Sequence, residues 1–285
     1  MSGLGSIATD YKKYLDQTLH AYLPTKKTAM DLFEVAQSDS GQTTLEYTRQ
    51  TQSYSATKGY TSFDDPVAIA DGARPPADSI GTEDATSTPT RYGVAYKLDR
   101  ALLNSGVSAV QQYITKHTIE NVEIVRNSVN RTLIANMASN AGQTYTATGG
   151  TWATTGDPVN DVVTAQAAFK QRAGGLEADF LLLQPNDYAD LKKDTRFQST
   201  LYTNKSIETG NIVPKPFGLE VIEDQAMTEG TFFMGKKGMF ATMYVLENFA
   251  TYETDEGAAG KTFDIVHKFV DQYKLPYYLL YATGI

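Results

Sequence analysis

The chain has 285 residues, 41% of them hydrophobic and 20% charged, with no cysteine and a formal net charge of −8. That is apolar material for one large core or two smaller ones, and it excludes a disordered or fibrous chain. The absence of cysteine excludes disulfides, thiolate nucleophiles and thiolate-held zinc.

No run nears the roughly 18 apolar residues a spanning helix needs, and the opening MSGLGSIATDYKKYL has no signal-peptide pattern. A soluble protein made in the cytoplasm, with no membrane partner, is expected. Only residues 99–140 carry more basic than acidic side chains, 4 against 3, so no basic stripe exists for tight nucleic-acid binding.

In chain order, residues 10–23 place Tyr11, Tyr14, Leu15, Leu19, Tyr22 and Leu23 at helical spacing before Pro24. The polar stretch beyond cuts this stripe off, so it reads as an arm. A short apolar piece, AMDLFEVA, covers 29–36. Residues 41–66 are rich in Thr, Ser, Gln and Tyr, and they alternate around SATKG as a long hairpin without a core of its own. Residues 71–90 read as an acidic connector rich in Pro, Gly, Ser and Thr.

Residues 91–103 predict a strand with Tyr92, Val94, Tyr96 and Leu98 on one face, then a helical turn. The longest periodic segment is 106–140, where apolar residues from Val107 to Met137 recur every three or four positions. At about 1.5 Å per residue it predicts a helix of roughly 50 Å with one apolar stripe. Residues 141–156 read as a flexible loop. Asp157 and Pro158 open the next helix as N-cap and first position, and Gly174-Gly175 close it in the left-handed conformation.

ADFLLLQ is then a buried strand, and a helix opens at Asn186. Residues 195–218 form a long loop, a length that is usually functional or disordered. The remainder reads as strands, with DEGAAGK as a hairpin turn.

Catalytic signals are thin. The three histidines are His20, His117 and His267. His117 and Glu120 stand one turn apart on the long helix, but a metal site needs further ligands from facing helices. His267 alternates with Phe263, Ile265 and Phe269 and reads as a hydrogen-bonded core histidine. The acid pairs Asp64-Asp65 and Glu223-Asp224 lie in turns. The sequons at Asn130 and Asn204 are expected to be chance. Glycines of a phosphate cradle would follow the strand, whereas Gly174 and Gly175 precede it. The turn after it, Gln184-Pro185-Asn186-Asp187, carries an acid and an imino residue, so neither catalysis nor a cofactor or metal is expected.

The order of pieces is more informative. RYGVAYKLDRALLNS runs into a long helix, then come a loop, the unit with Gly174-Gly175 and QPNDYADLKKD, then PFGLEVIED, GTFFMGKKGMFATMYV and a terminal hairpin. This order resembles the major capsid proteins of tailed phages and tailed archaeal viruses, the α+β Hong Kong 97-type capsid fold shared with encapsulins. The resemblance spans essentially the whole chain and rests on element order and short phrases.

It implies an N-terminal arm over 1–40 and an extended loop over 41–70. It implies a peripheral domain over 71–150 built on spine helix 106–140, and an axial domain over 157–225. Strands over 226–285 return through both. It also implies self-assembly into pentamers and hexamers of an icosahedral shell around double-stranded DNA, which is held by weak non-specific contact. Scaffolding, portal and decoration proteins are the possible further partners, and the virion is the location, after assembly in the host cytoplasm.

The residues it implies at subunit contacts are Tyr14 and Leu19 on the arm, and Tyr47, Arg49, Tyr54, Lys58, Tyr60 and Phe63 on the extended loop. Arg196, Tyr202 and Lys205 are the counterparts on loop 195–212. The short arm beginning at Met1 gives no expectation of proteolytic removal. Lys58 is a conceivable donor for an isopeptide crosslink, with no assignable asparagine and glutamate set. An encapsulin-type shell and an α/β enzyme or ligand-binding protein stand as alternatives.

Overall fold

The computed structural model describes residue 17 and residues 27–38, 44–50, 53–55, 59–61, 82–103, 107–196 and 216–285. The amphipathic segment 10–23, apart from Gln17, lies outside the described residues. The AMDLFEVA piece becomes a 3₁₀ turn, Ala29–Leu32, and strand β1, Glu34–Gln37. Ala29 and Leu32 are fully buried, so the turn is pinned by its apolar pair.

Strands β2 (Leu45–Gln50), β3 (Ser53–Ser55), β4 (Gly59–Thr61) and β5 (Thr82–Ser87) follow. β3 pairs with β4 around residues 56–58, where SATKG predicts the turn. β2, however, pairs antiparallel with β5, from Leu45 opposite Ser87 to Gln50 opposite Thr82. The segment 71–90, expected as a connector, therefore supplies the returning strand. Its sequence, TEDATS, has no apolar alternation because no residue of this ribbon is fully buried: one face, with Tyr47 and Ala85, is half-buried and the other is exposed.

β6 (Thr90–Leu98) shows the expected alternation, with Tyr96 and Leu98 buried and its odd-numbered neighbours exposed. One helical turn, α1 (Arg100–Leu103), leads to α2 (Val107–Asn140), a single 34-residue helix. Its stripe Val110, Ile114, Val122, Val125, Val129, Leu133 and Met137 is no more than 1% exposed, as the periodicity predicts. Each such side chain contributes about 1.5–3 kcal/mol by leaving water. Five polar side chains on α2 bond the carbonyl one turn back: Thr115, Ser128, Thr132, Ser139 and Asn140.

The expected loop 141–156 contains β7 (Gln143–Thr146), which lies parallel to the C-terminal strand. Trp152 is buried there, and its indole N–H donates to Asp161 Oδ2 at 2.9 Å while Tyr145 Oη donates to Oδ1 at 3.1 Å. The buried Asp161 thus ties the segment to the next helix, α3 (Pro158–Arg172). Asp157 caps α3 by accepting from Asn160 N–H at 3.0 Å, and Gly174 and Gly175 follow its end with φ of 66° and 89°. β8 (Phe180–Leu183) is buried throughout, and α4 (Pro185–Lys193) follows. It starts at Pro185, one step before the expected opening at Asn186, because Gln184 is its cap and the Gln184 side chain accepts from Asn186 N–H at 2.7 Å.

β9 (Glu220–Glu223), β10 (Thr231–Gly235), β11 (Thr242–Asp255), β12 (Lys261–Gln272) and β13 (Leu279–Thr283) complete the chain. Two main sheets result, ordered β1-β11-β12-β6 and β7-β13-β10-β8-β9. One core lies between α2 and the first sheet; the other lies under α3 and α4 on the second. The β11–β12 turn needs glycine at Gly260, where φ is 112° and a Cβ would stand 2.1 Å from the Leu98 carbonyl oxygen.

Candidate inter-subunit interface and its root

The ribbon β2/β5 is a two-stranded sheet of its own, and no residue of 45–50 or 82–87 belongs to either core. A free two-stranded ribbon is marginal in water, so its placement depends on its attachments. Those attachments run along the ribbon, from Ser87, the register partner of Leu45 at one end, to Arg49 and Gln50 at the other. Gln50 N–H donates to the Lys274 carbonyl at 3.2 Å, and Ser87 Oγ donates to the Asp271 carbonyl at 3.1 Å. Arg49 Nη1 reaches Asn140 Oδ1 at 3.5 Å and Arg49 Nε pairs with Glu83 across the ribbon at 3.4 Å.

Behind them, Asn136 Nδ2 donates to Asp271 Oδ2 at 2.9 Å, and Asn140 Nδ2 donates to the Asn136 carbonyl at 2.9 Å. Burial pushes the Asp271 carboxyl above the usual range, while the Asn136 bond opposes that shift. Tyr273 is buried beside it. Burial lifts its phenol well above the ordinary value, and nearby Asp271 and Tyr47 add to the effect.

Of the side chains implied at subunit contacts, Tyr47 and Arg49 therefore stand half-buried at the root of the ribbon. Tyr54 and Tyr60 face each other as register partners, placed by backbone alone. Lys58 and Phe63, Tyr14 and Leu19, and Tyr202 and Lys205 lie outside the described residues. Arg196 is far along the chain from the ribbon. Its guanidinium bridges the N-cap Asp157 of α3 (Nη1–Oδ2, 3.2 Å) and Asp194 at the end of α4 (Nη2–Oδ2, 2.7 Å). The Arg196 hydrogen bond is the main cause of the lowered Asp157 pKa. Sequence reading misses Ser87, Asn136, Asn140 and Asp271, whose only signal is a pair of asparagines four apart at a helix end.

The chemical candidates resolve individually. His117 Nδ1 lies 3.1 Å from Glu120 Oε2, but among the described residues no group of three or more metal-ligating side chains converges. His267 is fully buried, as expected, yet among the described residues neither ring nitrogen has a hydrogen-bond partner. Its ring packs 4.5 Å from Phe249 and 5.8 Å from Phe269, and burial lowers its pKa to about 4. It is a core histidine held neutral by desolvation rather than one satisfied by hydrogen bonds. The aromatic wall arises where β11 shifts register between Glu247 and Ala250 and Phe249 takes φ of 45°.

Asp187 is a structural acceptor for Gly230 N–H at 3.1 Å, and burial raises it to about 6. Asp224 makes the expected Asx turn onto Ala226 N–H at 2.9 Å and also accepts from Ala29 N–H at 3.2 Å. The sequon residue Asn130 is 1% exposed, so no glycan can be attached to it in the folded chain. Asp64-Asp65 and Asn204 lie outside the described residues.

A long helix across a four-stranded sheet, a second α/β unit and a separate two-stranded ribbon together make up the Hong Kong 97-type capsid fold. The model of the phage capsid protein family matches residues 82–270, more than half of the chain, and the chain belongs to that family. Among solved structures, the chain resembles the virus-like particle from Pyrococcus furiosus at 12% identity and TM-score 0.62, covering 95% of this chain and 99% of that one. It also resembles the Mycobacterium phage Che8 structure (9% identity, TM-score 0.60, 90% and 92% covered). The capsid of a native GTA particle is similar as well (11% identity, TM-score 0.63, 90% of each chain). No curated protein matches the sequence.

Proposed function

We propose that this chain is a major capsid protein whose copies assemble, as pentamers and hexamers, into an icosahedral shell around double-stranded DNA. The observation that carries this reading, beside the family, is the β2/β5 ribbon, a separate two-stranded sheet that contributes to neither core. Its ordering entropy is recovered when it lies on another subunit, and interfaces of about 1,200–2,000 Å² are the scale at which specific contacts become stable.

In this layout residues 1–40 are the arm and 41–70 the outgoing part of the extended loop, which strand 82–87 closes. Residues 71–150 belong to the peripheral domain and 157–225 to the axial domain, with 226–285 returning through both. The contact residues are those on the arm, the ribbon and loop 195–212. Its work is interface burial rather than bond making. A net charge of −8 without a basic stripe suits a wall that confines DNA through weak contacts. Synthesis and assembly take place in the host cytoplasm, and scaffolding, portal and decoration proteins are compatible partners.

Native mass measurement and negative-stain microscopy of the purified protein test the reading: closed shells are expected. A small oligomer that yields no shell under any assembly condition overturns it. The likeness to a virus-like particle along nearly the full length of both chains favours a second reading, an encapsulin-type shell for cargo other than a genome. Nucleic acid inside isolated particles selects the first.

A further inference from the structure

We propose that the last two turns of α2 set the angle of the β2/β5 ribbon, with Asn136 and Asn140 as its positioning residues. The inference rests on the reading that the ribbon contacts another subunit.

The contacts at the root form a closed circuit. Arg49 on β2 holds Asn140, the last residue of α2. Asn140 holds the carbonyl of Asn136 one turn back, and Asn136 holds the Asp271 carboxyl on β12. The Asp271 carbonyl in turn accepts from Ser87 on β5, whose register partner Leu45 returns the circuit to β2. Each strand of the ribbon is thus tied to the same helix end by a different route. A rotation of that end pulls on Arg49 through Asn140 and shifts Ser87 through Asn136 and Asp271.

Thr132, Ser139 and Asn140 all bond the carbonyl four residues earlier, a pattern that bends helices, and a terminal turn opens at low cost. The Arg49–Asn140 bond is long at 3.5 Å, whereas Asn136–Asp271 is short at 2.9 Å and partly buried. The circuit therefore has a firm post on β12 and a weak link on β2. Bending at the helix end opens the weak link first and loosens β2 at Arg49, while the Gln50 N–H bond to the Lys274 carbonyl and the Ser87 bond to Asp271 stay in place. Arg49 accordingly serves the placement of the ribbon within its own subunit.

The test uses full-length protein carrying Arg49→Ala, Asn140→Ala or Arg49→Lys, with Arg91→Ala as control, since it removes only the exposed pair with Glu247 at 3.1 Å elsewhere on the sheet. Amide hydrogen exchange in unassembled subunits is measured at 45–50 and 82–87, and particle diameter is measured after assembly. Both alanine variants are expected to raise exchange at β2 by at least about tenfold, with α2 residues 110–130 unchanged. They are also expected to broaden the diameter distribution. Arg49→Lys restores both readouts in part, and the control moves neither.

Unchanged β2 exchange with uniform particles overturns the proposal, as does an equal response to Arg91→Ala. If unmodified protein never forms shells, the capsid reading fails, and the exchange measurement still decides whether the helix end and the ribbon are coupled.

Discussion

His267 and Asp187 show two buried titratable groups whose burial has opposite consequences. The His267 pKa falls from 6.5 to about 4, so the fold holds it neutral while the unfolded chain protonates it first. Its contribution to stability is complete above pH 6.5 and is lost as pH falls through 4, by on the order of 3 kcal/mol. His267 lines a groove along β1 and β11 in which Asp31 is the acidic side chain, and its register partner on β6 is Tyr92. Replacing His267 by Phe, which suits the Phe249 and Phe269 wall, is expected to flatten the change in urea midpoint between pH 7 and pH 4.5. An unaltered slope would reject desolvation of His267 as its cause.

Asp187 runs the other way. Its folded pKa of about 6 exceeds its ordinary 3.8, so its contribution is complete below pH 3.8 and is lost as pH rises through 6. Asp187→Asn keeps an acceptor for Gly230 N–H and removes the buried charge. The urea midpoint is expected to rise at pH 8 and to stay unchanged at pH 3.5.

Among elements, α2 and the α3–β8–α4 unit are legible in the sequence because each writes its own boundary. The stripe from Val110 to Met137 is periodic without Pro or Gly, and Asp157-Pro158 and Gly174-Gly175 bracket α3. Leu133→Ala on the buried stripe is expected to cost about 2–5 kcal/mol in denaturant unfolding. Gly175→Ala, at φ 89° with open space around the added Cβ, is expected to cost only about 1–2 kcal/mol, from backbone strain alone.

β5 and β7 are not legible. TEDATS has no buried face, and QTYT is a strand only because residues 280–283 lie alongside it, a pairing across more than a hundred positions that local pattern does not encode. The root of the ribbon is illegible for the same reason: Asn136, Asp271 and Ser87 meet only through tertiary structure. The subunit-contact residues come from the family resemblance, which marks the loop carrying Arg49 and Tyr47 but not the direction their side chains take.

At the scale of the molecule, stability and assembly are expected to be separable. Neither core contains a residue of the ribbon, so deleting residues 50–60 is expected to leave the cooperative unfolding transition in place while shell yield collapses. Equal loss of both would show that the loop is part of the core.

The order of the second sheet has a further consequence, in time. β13 sits between β7 and β10, so residues made well over a hundred positions earlier wait for 279–283 before that sheet can close. During synthesis β7 has no partner, and β10 presents an open edge on one side. Until residues 279–283 are made the second sheet lacks the strand between β7 and β10, so any joining of subunits that needs that sheet waits on a strand far along the chain from β7.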